Sequence, residues 1–147
     1  MRTLFLIIIL SFSLVAMSCN HDPEPINFNS DQCALCKMTI EDTRFGAELI
    51  SKKGKVFKFD AAECIVKYIN KGKISEGEIG KLYVIDYSQP TVLVDALLVT
   101  FLISENLPSP MGANLSAFLN RSTAEKYQSE KGGELFNWEG VKSKLKK

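Results

Sequence analysis

The chain has 147 residues, 46% of them hydrophobic, and sets 18 Lys and Arg against 17 Asp and Glu for a net charge of +1. That length holds one compact domain with a real core and leaves no room for a large second one. The balanced charge provides no basic surface for nucleic acid, and the lysines at 142, 144, 146 and 147 read as a solvated helix end favoured by the helix dipole.

The N-terminus is a leader. Arg2 precedes an apolar run from Leu4 to Met17 broken only by Ser11 and Ser13, and about 14 residues fall short of the roughly 20 that a spanning helix needs. Ala16 and Ser18 are the small residues a cleavage site requires, directly before Cys19. The pattern resembles a bacterial lipobox with Ala16 in place of the usual Leu, so Cys19 is expected to carry a lipid and to tether the protein to a bacterial membrane, facing the periplasm or the cell exterior. Residues 1–18 are thus read as a lipoprotein signal peptide, 19–30 as a polar, Pro-punctuated tether and 31–147 as the folded domain. The only His, His21, falls in the tether, which leaves the domain without His for catalysis or for an ordinary zinc site. With Cys19 acylated, Cys33, Cys36 and Cys64 remain; three thiols cannot all pair internally, so at least one is kept for chemistry or metal.

Beyond the tether, Phe45 to Ile50 and Val56 to Asp60 alternate apolar and polar residues around Ser51-Lys52-Lys53-Gly54 and predict a β-hairpin. Asp60 stands where an N-cap belongs, Glu63 follows at the third helical position, and a helix of about three turns is expected to end at Gly72. Lys81 to Asp86 and Thr91 to Val94 read as strands. Asp95-Ala96 then opens an expected second helix to about Glu105, apolar on nearly every side and therefore central to the core. Leu107 to Gly112 forms a rigid turn, Leu115 to Leu119 a strand, Thr123 to Lys131 a short polar helix stopped by Gly132-Gly133, Glu134 to Trp138 a last strand, and the C-terminus an amphipathic helix. Phe59-Asp60-Ala61 corresponds to Val94-Asp95-Ala96, and a fainter echo links Ala47 to Phe57 with Ala124 to Phe136. The pattern predicts an α+β fold of two small, similar αβ halves, ββαβ-like, sharing one core.

Soft donors concentrate at the start of the domain. Cys33 and Cys36 sit three apart, so one turn aims both sulfurs at a point, and Met38 lies two residues on, where an extended backbone returns to the same face. Thiolate and thioether together select Cu(I) over hard cations. Zinc is disfavoured because a structural site needs four N or S ligands and the chain lacks a second Cys/His pair. Thiol–disulfide exchange by a lipid-anchored oxidoreductase is the alternative, and a plain Cys33–Cys36 disulfide is a third reading; the usual strand-then-helix setting of a redox pair is missing. Cys64, in the first helical turn, reads as a small core residue ahead of a metal ligand, although a helix N-terminus would lower its pKa. Asp60 and Asp95 read as N-caps ahead of an acid–base pair. Met111, between Pro110 and Gly112, is presented by a rigid loop instead of an apolar helical stripe, with packing under the turn as the plainer role.

Cys36-Lys37-Met38, Phe59-Asp60 with Cys64, Tyr83-Val84 with Asp86, Val94-Asp95-Ala96, Pro110-Met111-Gly112 with Ala117-Phe118, and Gly132-Gly133 resemble the NosL family in order and spacing over nearly the whole mature chain. The resemblance implies a bacterial lipoprotein of two small αβ halves that binds Cu(I) and assists metallation of nitrous oxide reductase in denitrification, beside an ABC-type maturation transporter; it implies a copper chaperone and not an enzyme. Carried over by residue, the family's Cys-x-Met places Cys36 and Met38 at copper, and its Met-Gly turn places Met111 there, with Cys33 a less secure ligand. Two positions depart from the family: Lys37 replaces the usual Gly of Cys-Gly-Met, and Val92-Leu93-Val94 replaces an aromatic often found before the second Asp-Ala.

Overall fold

The computed structural model describes residues 22–146, so the leader, Cys19 and His21 lie outside the described residues. The first hairpin forms as its alternation predicts: β1 (Ala47–Ser51) pairs antiparallel with β2 (Val56–Phe59), and Gly54 supplies the positive φ of the turn. Helix α1 (Ala62–Asn70) follows and ends at Gly72, whose N–H bonds the Ile69 carbonyl. The chain returns as β3 (Ile79–Ile85) on the other side of β1, and β4 (Leu93–Asp95) adds to β3 as the sheet edge, giving the order β2-β1-β3-β4. A second unit repeats this path: β5 (Thr100–Ile103), β6 (Leu115–Phe118), α2 (Arg121–Lys131) and β7 (Glu134–Phe136) build a sheet of order β6-β5-β7, after which α3 (Trp138–Lys144) closes the chain. Each half is therefore ββαβ with its first strand in the middle. No helix among the described residues is long and apolar enough to cross a membrane.

Strand alternation joins the halves. Ala47, Leu49, Phe59, Cys64 and Ile65 from the first unit pack in one cluster with Phe101, Leu115, Ala117, Trp138 and Val141 from the second. The opposite face of the second sheet, Leu102 and Phe118, packs with Ala124 of α2, and Tyr87 and Tyr127 seal that smaller cluster.

Three expectations are corrected. Residues 95–105 form no helix: β4 ends at Asp95, and Thr100–Ile103 is a strand whose Phe101 and Leu102 are both fully buried. Apolar residues on every side describe a central strand covered on both faces as well as a buried helix, and the Val and Thr between them favour the strand. Asp95 is consequently no N-cap; its Oδ1 accepts the Leu97 N–H at 2.9 Å in a turn. Asp60 is not the cap of α1 either, because the helix starts one residue later with Ala61 at the N-cap and no side-chain cap bond. The sequence echoes do not mark the structural repeat: Phe59, closing β2 before α1, is matched by Phe118, closing β6 before α2, while Val94 belongs to a fourth strand and Ala124 to a helix.

Part of the 19–30 stretch packs on the domain. Ile26 is buried, Lys58 Nζ donates to the Pro25 carbonyl at 2.8 Å, and Ile26 packs so closely over Gly46 that a Cβ there would stand 2.8 Å from Ile26 Cδ1 and displace that methyl. Ile26 and Phe28 are the apolar residues of a stretch otherwise polar enough to read as linker, and burying them docks it on the first sheet.

Candidate metal centre

The segment before β1 folds into a tight loop that sorts its sulfurs. Gln32 and Thr39 form a bridge, the Cys33 N–H donates to the Met38 carbonyl at 2.9 Å, and the Lys37 N–H donates to the Cys33 carbonyl at 3.0 Å. Two bonds moor this loop to β2: Ala34 N–H to the Lys58 carbonyl and Lys58 Nζ to Asp31 Oδ2, both at 2.8 Å. Cys33 is thereby fully buried, Cys36 is half-buried, and Met38 is 56% exposed. Lys37 takes a φ of 67°, the left-handed region that favours Gly. That geometry accounts for the family's usual Gly here; in this chain Lys37 adopts it and its Nζ bonds the Ala34 carbonyl at 3.1 Å.

Cys64 enters from the first turn of α1, fully buried, and its sulfur meets those of Cys33 and Cys36 within 4.8 Å of one another. All three are free thiols. Cys64 stood lowest among the sequence candidates, yet the structure brings it to the centre. The signal was its place four residues after Asp60, where the hairpin hands over to the helix beside the cysteine loop.

Charge is concentrated on one sulfur. The Cys64 thiol donates to Cys33, and the backbone N–H groups of Cys36, Asp60 and Leu35 point at it too, which holds Cys33 down to about 5 despite burial. Cys64 is pushed up because it is the donor in that pair and is desolvated, the reverse of the lowering expected from the helix N-terminus. Cys36 is raised mainly by burial. Asp60, also desolvated and facing the Cys33 thiolate, is pushed up to about 6. At neutral pH the cluster is one thiolate and two thiols, so a metal entering it releases protons.

The donor set fits a soft monovalent ion. A metal bonded to three sulfurs at about 2.3 Å holds them about 4 Å apart, so the cluster needs little closure to become a trigonal site. Tetrahedral zinc would need a fourth ligand, and no further Cys, His, Asp or Glu joins this group among the described residues.

Met111 sits in a loop beside the far end of α1. Its loop is held by the Ser109 hydroxyl, which donates to the buried Glu63 Oε1 and accepts the Leu115 N–H at 3.3 Å. Gly112 provides a φ of 75° for the turn. Met111 is half-buried and lines a cleft of about 610 Å³ with Lys67, Asn70, Lys71 and Leu145, and none of the three cysteines lines that cleft. Glu63 and Cys64 are adjacent on the helix, so the Met111 loop is moored one residue from the cluster. Glu63 and Ser109 escaped the sequence reading because a helical Glu and a loop Ser reveal nothing of each other across 46 positions.

The NosL family model matches residues 25–146. The fold is similar to the crystal structure of the copper chaperone NosL from Shewanella denitrificans, with a TM-score of 0.71 at 22% sequence identity, over 81% of this chain and 94% of that one. A search of curated proteins finds no match.

Proposed function

This chain belongs to the NosL family, and from that premise we propose that it is a Cu(I)-binding lipoprotein, a copper chaperone and not an enzyme, that metallates a periplasmic client, nitrous oxide reductase. The observation that carries the reading is the convergence of the Cys33, Cys36 and Cys64 sulfurs within 4.8 Å, in a chain whose only His precedes the domain. Sulfur alone, with one negative charge already in place, suits Cu(I). The similar Shewanella protein carries the name copper chaperone, and that role is extended here to this chain.

A carrier must also let go. Cys36, half-buried, and Met38, mostly exposed, form the accessible side of the site, where an incoming sulfur or imidazole displaces ligands one at a time. Cys33 and Cys64 hold the ion from the buried side. Met111, the ligand implied by the family's Met-Gly turn, lines a neighbouring cleft, and joining the site requires its loop, moored at Glu63, to swing toward the cysteines. Lipidation at Cys19 keeps the protein on the membrane beside the ABC-type transporter that serves the same client.

Anaerobic Cu(I) titration against a competing chelator tests the site, on wild type and on Cys33→Ser, Cys36→Ser, Cys64→Ser, Met38→Ala and Met111→Ala. The Cys variants are expected to weaken binding most, and affinity that rises with pH is expected as thiol protons are displaced. Unchanged affinity in every variant would defeat the assignment. The client is tested by the copper content of nitrous oxide reductase purified from a strain lacking this gene; a fully loaded reductase excludes that client. Redox exchange by Cys33 and Cys36 is favoured by the lowered Cys33 pKa, but a fully buried thiolate is out of reach of a substrate disulfide. Rapid thiol–disulfide exchange would restore that reading.

A further inference from the structure

The N-terminal segment crosses the outer face of the first sheet along a single row of paired residues. Lys58 of β2, Glu48 of β1, Tyr83 of β3 and Asp95 of β4 lie opposite one another in register. The segment follows that row toward its own N-terminus: the Pro25 carbonyl accepts from Lys58 Nζ at 2.8 Å, the Glu24 N–H donates to Glu48 Oε1 at 3.1 Å, and the Asp22 carboxylate acts on the Tyr83 phenol. The next strand along the row is β4, the free edge of the sheet. Neighbouring strands are about 4.8 Å apart, and the three residues from Asp22 back to Cys19 span about 10 Å. That length is enough for a lipid on Cys19 to reach the β4 edge. Directly after β4 come Leu97 and Leu98, 63% and 73% exposed, the most exposed large apolar side chains among the described residues. They stand on an ordered turn, since Asp95 Oδ1 accepts the Leu97 N–H at 2.9 Å and the Asp95 carbonyl accepts the Leu98 N–H at 3.1 Å.

We propose that the Leu97–Leu98 turn inserts into the same bilayer that holds the Cys19 lipid, so that the domain stands on the membrane on its β4 edge. The inference rests on the lipidation reading. A lipid chain and an apolar contact together make the two signals that stable membrane residence needs. Asp95 precedes the turn, and Leu97 lines a cleft with Lys81, Lys142, Glu76 and Glu139, so charges of both signs balance there; apolar burial and not attraction to anionic headgroups drives the contact, and salt leaves it unchanged. The cysteine loop is moored to β2, the opposite edge, which lies three strand spacings or about 14 Å away. The metal centre then faces away from the bilayer, open to a partner.

The test is fluorescence of the full lipoprotein carrying Leu98→Trp in phosphatidylethanolamine–phosphatidylglycerol vesicles with brominated acyl chains; native Trp138, 4% exposed, lines one cleft with Leu97, so it is replaced by Phe in every variant compared. Emission from position 98 is expected to shift to the blue and to be quenched several-fold more than that of Lys126→Trp on exposed α2. Adding Leu97→Asp is expected to relieve the quenching, and added salt to leave it unchanged. Equal quenching at 98 and 126, or none at 98 in protein that floats with the vesicles, overturns the membrane contact and leaves the lipid anchor standing; in that case the leucines face a protein. A protein that neither floats nor shows an N-terminal lipid by mass spectrometry overturns both.

Discussion

Replacing Asp60 with Asn removes a charge that the fold holds at a disadvantage. Asp60 is 4% exposed and faces the Cys33 thiolate, and burial with that neighbour raises its pKa from 3.8 to about 6. A shift of roughly two units corresponds to about 3 kcal/mol, at about 1.4 kcal/mol per unit. The sign follows from which state holds the proton more tightly. Below pH 3.8 both folded and unfolded chains are protonated and nothing is lost. Between 3.8 and 6 the unfolded chain gives up its proton first, so stability falls as pH rises, and above 6 the full penalty applies. Asp60→Asn keeps the shape without the charge. Urea unfolding of the reduced, metal-free protein is therefore expected to show little difference between variant and wild type near pH 3.5 and a variant more stable by about 3 kcal/mol at pH 7.5. In Cys33→Ser the gap should shrink without closing, because the thiolate is gone and the burial stays. A difference of equal size at both pH values, or a variant less stable at pH 7.5, refutes the reasoning.

Asp31 behaves in the opposite sense, since Lys58 Nζ and the Asn27 N–H, both at 2.8 Å, hold its carboxylate below the ordinary range. Its stabilisation is present above pH 3.8 and is lost as pH falls through the lower folded value, so Asp31→Asn should cost about 1 kcal/mol at pH 7 and progressively less as pH falls below 3.8, read by urea unfolding. Ser109→Ala strips the buried Glu63 of its hydroxyl partner and should cost about 1.5–3 kcal/mol in thermal unfolding. Gly133→Ala meets both a φ of 104° and a clash of the added Cβ with the Ile103 carbonyl oxygen, so a loss of about 2 kcal/mol or more and a lower melting temperature are expected.

Local pattern carried much of the fold. The first hairpin, α1 with its Gly72 stop, the polar α2 before Gly132-Gly133 and the ββαβ form of the halves are each written in contiguous residues. The 95–105 segment was not, because periodicity is silent when every position is apolar, and only pairing with β6 on one side and β7 on the other makes Phe101 and Leu102 strand residues. Which segments are equivalent was likewise hidden, since Val94-Asp95-Ala96 imitates Phe59-Asp60-Ala61 in letters while Phe118 takes its place in space.

The cysteine loop divides along the same line. Spacing alone determined that Cys33, Cys36 and Met38 share one turn, because three- and two-residue offsets constrain direction over a few ångströms of chain. Its depth, and what it faces, were decided by tertiary structure: β2 draws Cys33 inward and leaves Met38 outside, α1 delivers Cys64, and the link between them brings the Asp60 N–H to the same point. A thiol's neighbours across the fold set its charge, and those neighbours lie up to 31 positions away, beyond the reach of any local pattern.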